Sequence, residues 1–324
     1  NNSNSFWAAD AKPALKIKDG EVVAIDCLNL AGVPNEDFEK FFTDNGISLD
    51  NEAVKDLIAV KKELGQAPGI AYGVLTGPIY VEGAMPGDTL EVRILDIKSR
   101  APYGVNGGRP GGGGIPDLVP RPYSKVIKLD LERNVGLFSK TIEIPLKQFQ
   151  GKVGVAPVRE RGALPSSPPY PDIGGNFDNQ SFTHGATIYL PVQVPGALFQ
   201  TGDPHAVQGN GEVSGGAIES CNTVTMKFIV RKDLHIKYVR AENPTHYIVM
   251  GLDVDLNKAM YNAIANTVDF LKEYKGLDFF DSLSICSIIT DFEITEVVDG
   301  TKTISGMVPK SIFKDVKTAD YWYK

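Results

Sequence analysis

Between Gly174 and Glu219 the chain reads GGNFDNQSFTHGATIYLPVQVPGALFQTGDPHAVQGNGEVSGGAIE. Asn176, Asp178, Asp203, His205, Glu212 and Glu219 fall within this one stretch, separated by glycines and an apolar segment. A hydrophobic core has no use for so many carboxylates beside a histidine, and the whole chain holds only 4 His. On extended backbone, side chains two residues apart point to the same side. Asp203 therefore converges with His205, and Asn176 with Asp178. Oxygen and nitrogen donors gathered in this way suit a metal site that activates water.

Other nucleophiles have weaker support. No GxSxG elbow occurs, and neither Ser214 nor Ser220 has a partner that sequence can show. Cys221 follows Glu219 by two residues but leads into an apolar strand, so it reads as structural. The 3 cysteines, Cys27, Cys221 and Cys286, are far apart and form no CxxC. They are expected to be buried free thiols, with neither a disulfide framework nor a thiolate metal site.

The surrounding elements are mostly strands. Leu15 to Cys27 predicts two short strands around a Lys18-Asp19-Gly20 turn. NEAVKDLIAVKKELG predicts a surface helix capped at Asp50/Asn51 and stopped at Gly65, within a helical insert of about 36–66. Leu90, Val92 and Ile94 alternate with polar residues in a half-buried strand after a Pro86-Gly87-Asp88 turn. YGVNGGRPGGGGIP is read as a glycine-rich loop, 103–116. It lacks GK[ST], which argues against a phosphate-binding P-loop, and it is either a surface loop or a flap with Arg109 at its centre. Val126–Leu129 and Ser139–Ile144 are further strands, PSSPPYPDIGG an irregular loop, and Thr187–Val194 and Thr223–Val230 the clearest strands. Asp255 caps a helix closed by Gly276, and a second helix is expected over Ser282–Ile289. Two strands then flank Asp299-Gly300, a strong hairpin signal. The fold class is mainly β. It divides into a β-rich body, 1–235, that carries the site, and an α+β segment, 236–324.

Composition narrows the function. The chain has 33 Gly and 21 Pro, which favour turns and short strands. Net charge is -7 with no run of Lys/Arg beyond a pair, so no nucleic-acid face is present. No apolar run reaches the ~20 residues that cross a bilayer, and no membrane partner is expected. The start at Asn1 fits a processed or a trimmed N-terminus. A cytoplasmic location is expected, with export the alternative if the terminus is processed. A homo-oligomer, a dimer in the simplest case, is expected, with YLPVQVPGALF as core or interface.

Four blocks resemble the acetamidase/formamidase family of metal-dependent amidohydrolases. They are LTGPIYVEGAMPGDTLEVRILDI, VGVAP followed by GGNFD, YLPVQVPGALFQTGDPHAVQGNGEVSGGAIE, and ENPTHYIVMGLDVDLNKAM with ITDFEITEVVDG and VPKSIF. The resemblance runs from about Trp7 to Phe313. Asn210 stands where many members have Asp, and the glycine-rich loop around Arg109 matches no standard block. The resemblance implies a β-sandwich joined to a small barrel-like β part and an α+β segment. It also implies hydrolysis of formamide or acetamide to ammonia and the carboxylate.

On that reading Asp178, Asp203, His205 and Glu219 are the metal ligands and Glu212 is the general base. Glu212 and Glu219 can exchange these roles. Asn176, Gly175 and Gln208 are expected at the substrate, a small amide. The divalent metal is zinc first, with calcium or manganese the alternatives. Each assignment has a plainer counterpart: Asp203 as a turn aspartate, Glu212 as an exposed strand entry, Asn176 as an Asx turn. Glu219 resists one, because an unpaired carboxylate among small and apolar residues is costly to bury. His184 and His235 read as surface residues and His246 as a packing residue. Rival functions are a lactam hydrolase on the same site and a β-sandwich binding module with a structural Ca²⁺. A cupin-like oxygenase is disfavoured, because the H-x-H pair is missing.

Overall fold

The computed structural model describes residues 3–33, 37–64 and 73–314. Alternating apolar residues, punctuated by glycine and proline, produce 40% strand against 19% helix, so the class is mainly β. One sheet has eight antiparallel strands. Its order is Asp291–Glu296, Lys302–Pro309, His246–Asp253, Arg240–Glu242, Thr187–Pro191, Thr89–Ser99, Asn222–Arg231 and Val22–Cys27. Four of these precede residue 236 and four follow it, so both parts of the chain share one sheet.

The second sheet has twelve strands. Its main path runs Ile142–Pro145, Val135–Ser139, Tyr123–Asp130, Tyr103–Gly108, Ile218–Glu219, Phe199–Val207, Phe149–Gly154, Gly174–Asn176 and Pro169–Tyr170. Leu75–Val81 also pairs with Phe199–Val207. Leu90, Val92, Ile94 and Phe228 of the first sheet bury against Leu75, Val153 and Phe199 of the second. Phe199 meets Phe228 edge-on at 5.0 Å between ring centres, the arrangement aromatic quadrupoles prefer. The segment YLPVQVPGALF lies largely in this core and is not free as an interface.

Several expectations are corrected. The barrel-like part does not exist as a closed barrel. The larger sheet stays open, and its terminal strands carry Pro145 and Pro169, which have no N–H to continue a ladder. The strand expected over Ser139–Ile144 is a hairpin, Val135–Ser139 with Ile142–Pro145. Of the loop expected at 103–116, Tyr103–Gly108 is a strand. Gly104 permits it, since a Cβ there would lie 2.8 Å from the carbonyl oxygen of Glu219. The strand at Thr187 ends at Pro191, short of Val194.

The helical insert holds Phe38–Asp44 and Glu52–Leu64. Asn51 Oδ1 accepts from the Val54 amide at 3.2 Å, so the cap falls where the sequence puts it. Gly65 lies outside the described residues. Phe42, Val54 and Leu57 cover Tyr103 and Cys221 of the β body. The helix Leu256–Lys275 starts on Asp255 and stops at Gly276, which has φ 66°. The second helix is Phe279–Ile288, three residues earlier at its start than expected, because Asp278 accepts from the Asp281 amide at 2.8 Å.

Candidate metal centre

The strand Phe199–Val207 organises the site. It pairs with Phe149–Gly154 on one side and Ile218–Glu219 on the other, which sets His205 opposite both Phe149 and Glu219. The His205 ring stands edge-on to Phe149 at 4.9 Å. Asp203 and His205 do converge, but not by plain strand alternation. Asp203 has φ 56°, Asp178 φ 42° and Glu212 φ 47°. Each non-glycine residue in this left-handed region costs roughly 1–2 kcal/mol, and such strain clusters at functional sites. Here it turns three carboxylates towards one histidine. Gly151 leaves the room: a Cβ there would lie 2.3 Å from Asp178 Oδ1 and 3.2 Å from His205 Cε1.

His205 is 1% exposed and faces carboxylates through both ring nitrogens. Its Nε2 lies 3.0 Å from Glu219 Oε2 and 3.4 Å from Asp203 Oδ1, and its Nδ1 lies 3.9 Å from Asp178 Oδ1. None of these approaches has hydrogen-bond geometry, and both nitrogens and Asp178 Oδ1 are buried without a hydrogen-bond partner. Donor atoms that crowd together yet fail to bond one another suit a cation between them. Two triads meet that description: Asp203, His205 and Glu219, and Asp178, His205 and Glu212. The cluster therefore fits a divalent metal ion, with all four expected ligands and Glu212 brought together around one imidazole.

Three residues that sequence reasoning missed hold these acids in place. Asn29 Nδ2 donates to Asp203 Oδ1 at 2.8 Å and also to Glu219 Oε2. Lys152 Nζ donates to Asp203 Oδ2 at 2.8 Å. Asp299, read only as a hairpin turn, accepts from Asn176 Nδ2, which donates as well to Asp178 Oδ2 at 2.6 Å. Lys152 had a signal, a lone cation in the buried strand GKVGV. Asn29 had none beyond standing in a loop. The Lys152 side chain is 5% exposed and that of Asp203 12%. Removing one partner of a buried pair leaves the other uncompensated, at about 3–5 kcal/mol. Lys152→Met is expected to lower stability by that amount, read from thermal or denaturant unfolding; an unchanged midpoint would contradict the buried pairing.

Proton affinities follow from burial and crowding. Burial works against the Lys152 ammonium, but Asp203 and Asp178 outweigh it and raise its pKa. Burial pushes Asp203 up, while Lys152 and His205 pull its carboxyl well below the usual range. Asp178 goes the other way, raised by burial and by Asp203. Burial disfavours the His205 imidazolium, but Glu219 and Asp203 overcome that and raise its pKa. The carboxylates thus favour a positive charge at His205, and proton and metal compete for its nitrogens. Burial and Asp178 raise Glu212.

Glu296 anchors the Asp299 loop, accepting the Asp299 amide at 2.7 Å. Burial and Asp299 lift its carboxyl from 4.5 to about 7. The folded state therefore binds the Glu296 proton more tightly than the unfolded state does. Its contribution is full below the unfolded pKa and is lost as pH rises towards about 7. Glu296→Gln is expected to flatten the fall in melting temperature across that window; an equal slope in both proteins would oppose the assignment.

Glu212 sits in the turn after Gly209, held by Gly211 N–H to Thr295 O at 2.9 Å. Gln208 Nε2 donates to the Asp178 carbonyl at 2.7 Å. Gly175 presents its α-carbon to Pro168 and Pro169 across the sheet. Cys27, Cys221 and Cys286 are buried free thiols, and burial pushes Cys221 up to about 11, far from a thiolate at neutral pH. Ser220 Oγ donates to the Tyr103 carbonyl at 2.8 Å, so its proton is committed to a main-chain acceptor. His184 and His235 are exposed and His246 half-buried; His246 Nδ1 pairs with Thr245 Oγ1 at 2.8 Å. Glu219 and Asp299 form part of the wall of an open cavity of about 870 Å³, with Gly108, Arg109, Tyr123 and Ser124 among its other lining. No helix among the described residues is long and apolar enough to cross a membrane.

The sequence relatives of this chain carry the names formamidase and acetamidase, amidohydrolases of short linear amides. The sequence matches the Acetamidase/Formamidase family model over residues 1–166 and 160–315, and the chain belongs to that family. A Schizosaccharomyces pombe relative is 29% identical over 293 residues, 72% of this chain and 65% of that protein. The chain thus spans about 65% of that relative's length. An acetamidase of Mycolicibacterium smegmatis is 25% identical, covering 83% of this chain and 81% of its own. The crystal structure of an acetamidase from Bacillus halodurans aligns at a TM-score of 0.80 with 28% identity, over 96% of each chain.

Proposed function

We propose that this protein hydrolyses a short aliphatic amide, of the formamide or acetamide type, to ammonia and the carboxylate. The observation that carries the reading is His205, fully buried between two carboxylate clusters with both ring nitrogens unpartnered. Asp178, Asp203, His205 and Glu219 would hold a divalent metal, zinc on the mixed nitrogen and oxygen donor set. Such an ion supplies water of lowered pKa, from 15.7 towards ~7, and a Lewis acid for the carbonyl oxygen.

The remaining steps belong to the chain. The Glu212 carboxylate takes the proton of the attacking water and returns it to the departing nitrogen. A carboxyl raised by burial and by Asp178 suits both halves of that transfer. Asn29 and Lys152 hold the carboxylates of Asp203 and Glu219 in position. Asn176 Oδ1 and Gln208 Oε1 are buried acceptors without partners, suited to orient the N–H groups of an amide.

The test is ammonia release from formamide, acetamide and a five-membered lactam, before and after chelation, with bound metal read by elemental analysis. Turnover that chelation abolishes and one metal restores is the expected result. A metal-replete protein that releases no ammonia would point to a binding module, and turnover untouched by chelation would remove the metal from the reaction.

A further inference from the structure

We infer that the outer face of the helix Phe279–Ile288 is where two copies of this chain meet about a twofold axis. The helix reads FFDSLSICSI and carries a single charge, Asp281. Ser282 and Cys286 are buried, with Cys286 in one apolar cluster with Phe270 and Leu271 of the neighbouring helix Leu256–Lys275. Phe280, Leu283, Ser284, Ser287 and Ile288 recur at the spacing that forms one stripe along a helix, and all five face solvent. Phe280 is 76% exposed, Ile288 80%, Phe279 51% and Leu283 39%. A surface helix normally turns charged residues to water, and one apolar on both faces belongs in a covered setting. Ile289, just past the helix, and Ile294, in the outermost strand of the eight-stranded sheet, are exposed as well.

The stripe is self-complementary, which selects a second copy as its occupant. In an antiparallel crossing centred on Ser284, each Phe280 lies against Ile288 of the partner subunit. The two small serines then sit on the axis, where they allow close approach. An isologous contact requires this reciprocity. The stripe carries no charge, so no like-charged side chains meet face to face there, and the repulsion between copies of net charge -7 is screened beyond about 8–10 Å at physiological salt. Taking ~150–250 Å² for a fully buried aromatic side chain, the exposed parts amount to roughly 500 Å² per copy. Across both copies that is on the order of 1,000 Å², the lower bound for a specific interface. An apolar patch of this extent lies at the upper end of what one protein surface carries, a size that is often functional.

The experiment is sedimentation velocity with the full chain across ~1–100 µM, the span in which weak and tight dimers separate. The wild type is expected to be a dimer. Phe280→Lys and Ile288→Glu are each expected to weaken the dimer by roughly 100-fold or more, with unchanged circular dichroism and melting, since both side chains point to water. Mixing the two variants is expected to restore a dimer, because the introduced cation and carboxylate face each other across the crossing. A monomeric wild type, a dimer that survives both substitutions, or a mixture that stays monomeric would each overturn the inference. Ammonia release plays no part in this readout, so it stands apart from the proposed reaction.

Discussion

His205→Ala is expected to remove bound metal and activity together, lowering kcat/KM by about 10³-fold or more. The imidazole is common to both triads and is their only nitrogen donor. Without it, Asp178, Asp203, Glu212 and Glu219 remain as buried carboxylates with Lys152 as their main counter-charge. Crowded carboxylates of that kind take up protons instead of holding a cation. Asp203→Ala is expected to act in the same direction and also to free Lys152 Nζ, which bonds Asp203 Oδ2. The check pairs elemental analysis with ammonia release on protein of verified fold. A His205→Ala protein that keeps its metal and more than about a tenth of its rate would end the ligand assignment.

Glu212→Gln is expected to separate what the first substitution joins. The amide keeps the shape and burial of the carboxyl and cannot carry a proton between water and nitrogen. Metal content is expected to stay, KM to change little, and kcat to fall by ~10²–10⁴-fold, the ordinary worth of a positioned acid–base group. The turn that presents residue 212 is fixed by main-chain bonds from Gly211, so the substitution leaves the backbone undisturbed. If the variant loses metal instead, Glu212 is a ligand and Glu219 becomes the acid–base group. If it keeps full turnover, neither triad uses Glu212 for proton transfer. Glu219 accepts the Ala217 amide at 2.7 Å and lies against His205 Nε2, a tethered position better suited to a ligand.

Much of this was legible in the sequence. Alternation at Leu90–Ile94 and Val224–Val230, the Asp255 cap and the Gly276 stop are local signals, and each lies where it was read. The acids of the signature stretch were legible because carboxylates among glycines and apolar residues have few structural uses. What stayed hidden depends on pairing between distant strands. Lys152 stood out only as a lone cation in an apolar strand, and its partner Asp203 came into view when Phe149–Gly154 paired with Phe199–Val207. Asp299 looked like a turn residue because Asp-Gly is a turn pair, and nothing local says that its carboxylate reaches Asn176. The left-handed backbone at Asp178, Asp203 and Glu212 was equally hidden, since aspartate and glutamate do not announce positive φ as glycine does. Tyr103–Gly108 was misread for the opposite reason: glycines taken as flexibility serve there to let strands approach closely.

The hairpin that delivers Asp299 sets an order of events during synthesis. Asn29 reaches Glu219 across 190 positions, and Asn176 reaches Asp299 across 123. Contacts this distant in sequence form late, after long loops have closed. A nascent chain halted before the strand Lys302–Pro309 leaves the ribosome would therefore hold Asn29 and Lys152 beside the acids but lack the hairpin that brings Asp299 to Asn176. The acid cluster and the loop that braces it through Asn176 are thus joined only once Lys302–Pro309 pairs with His246–Asp253.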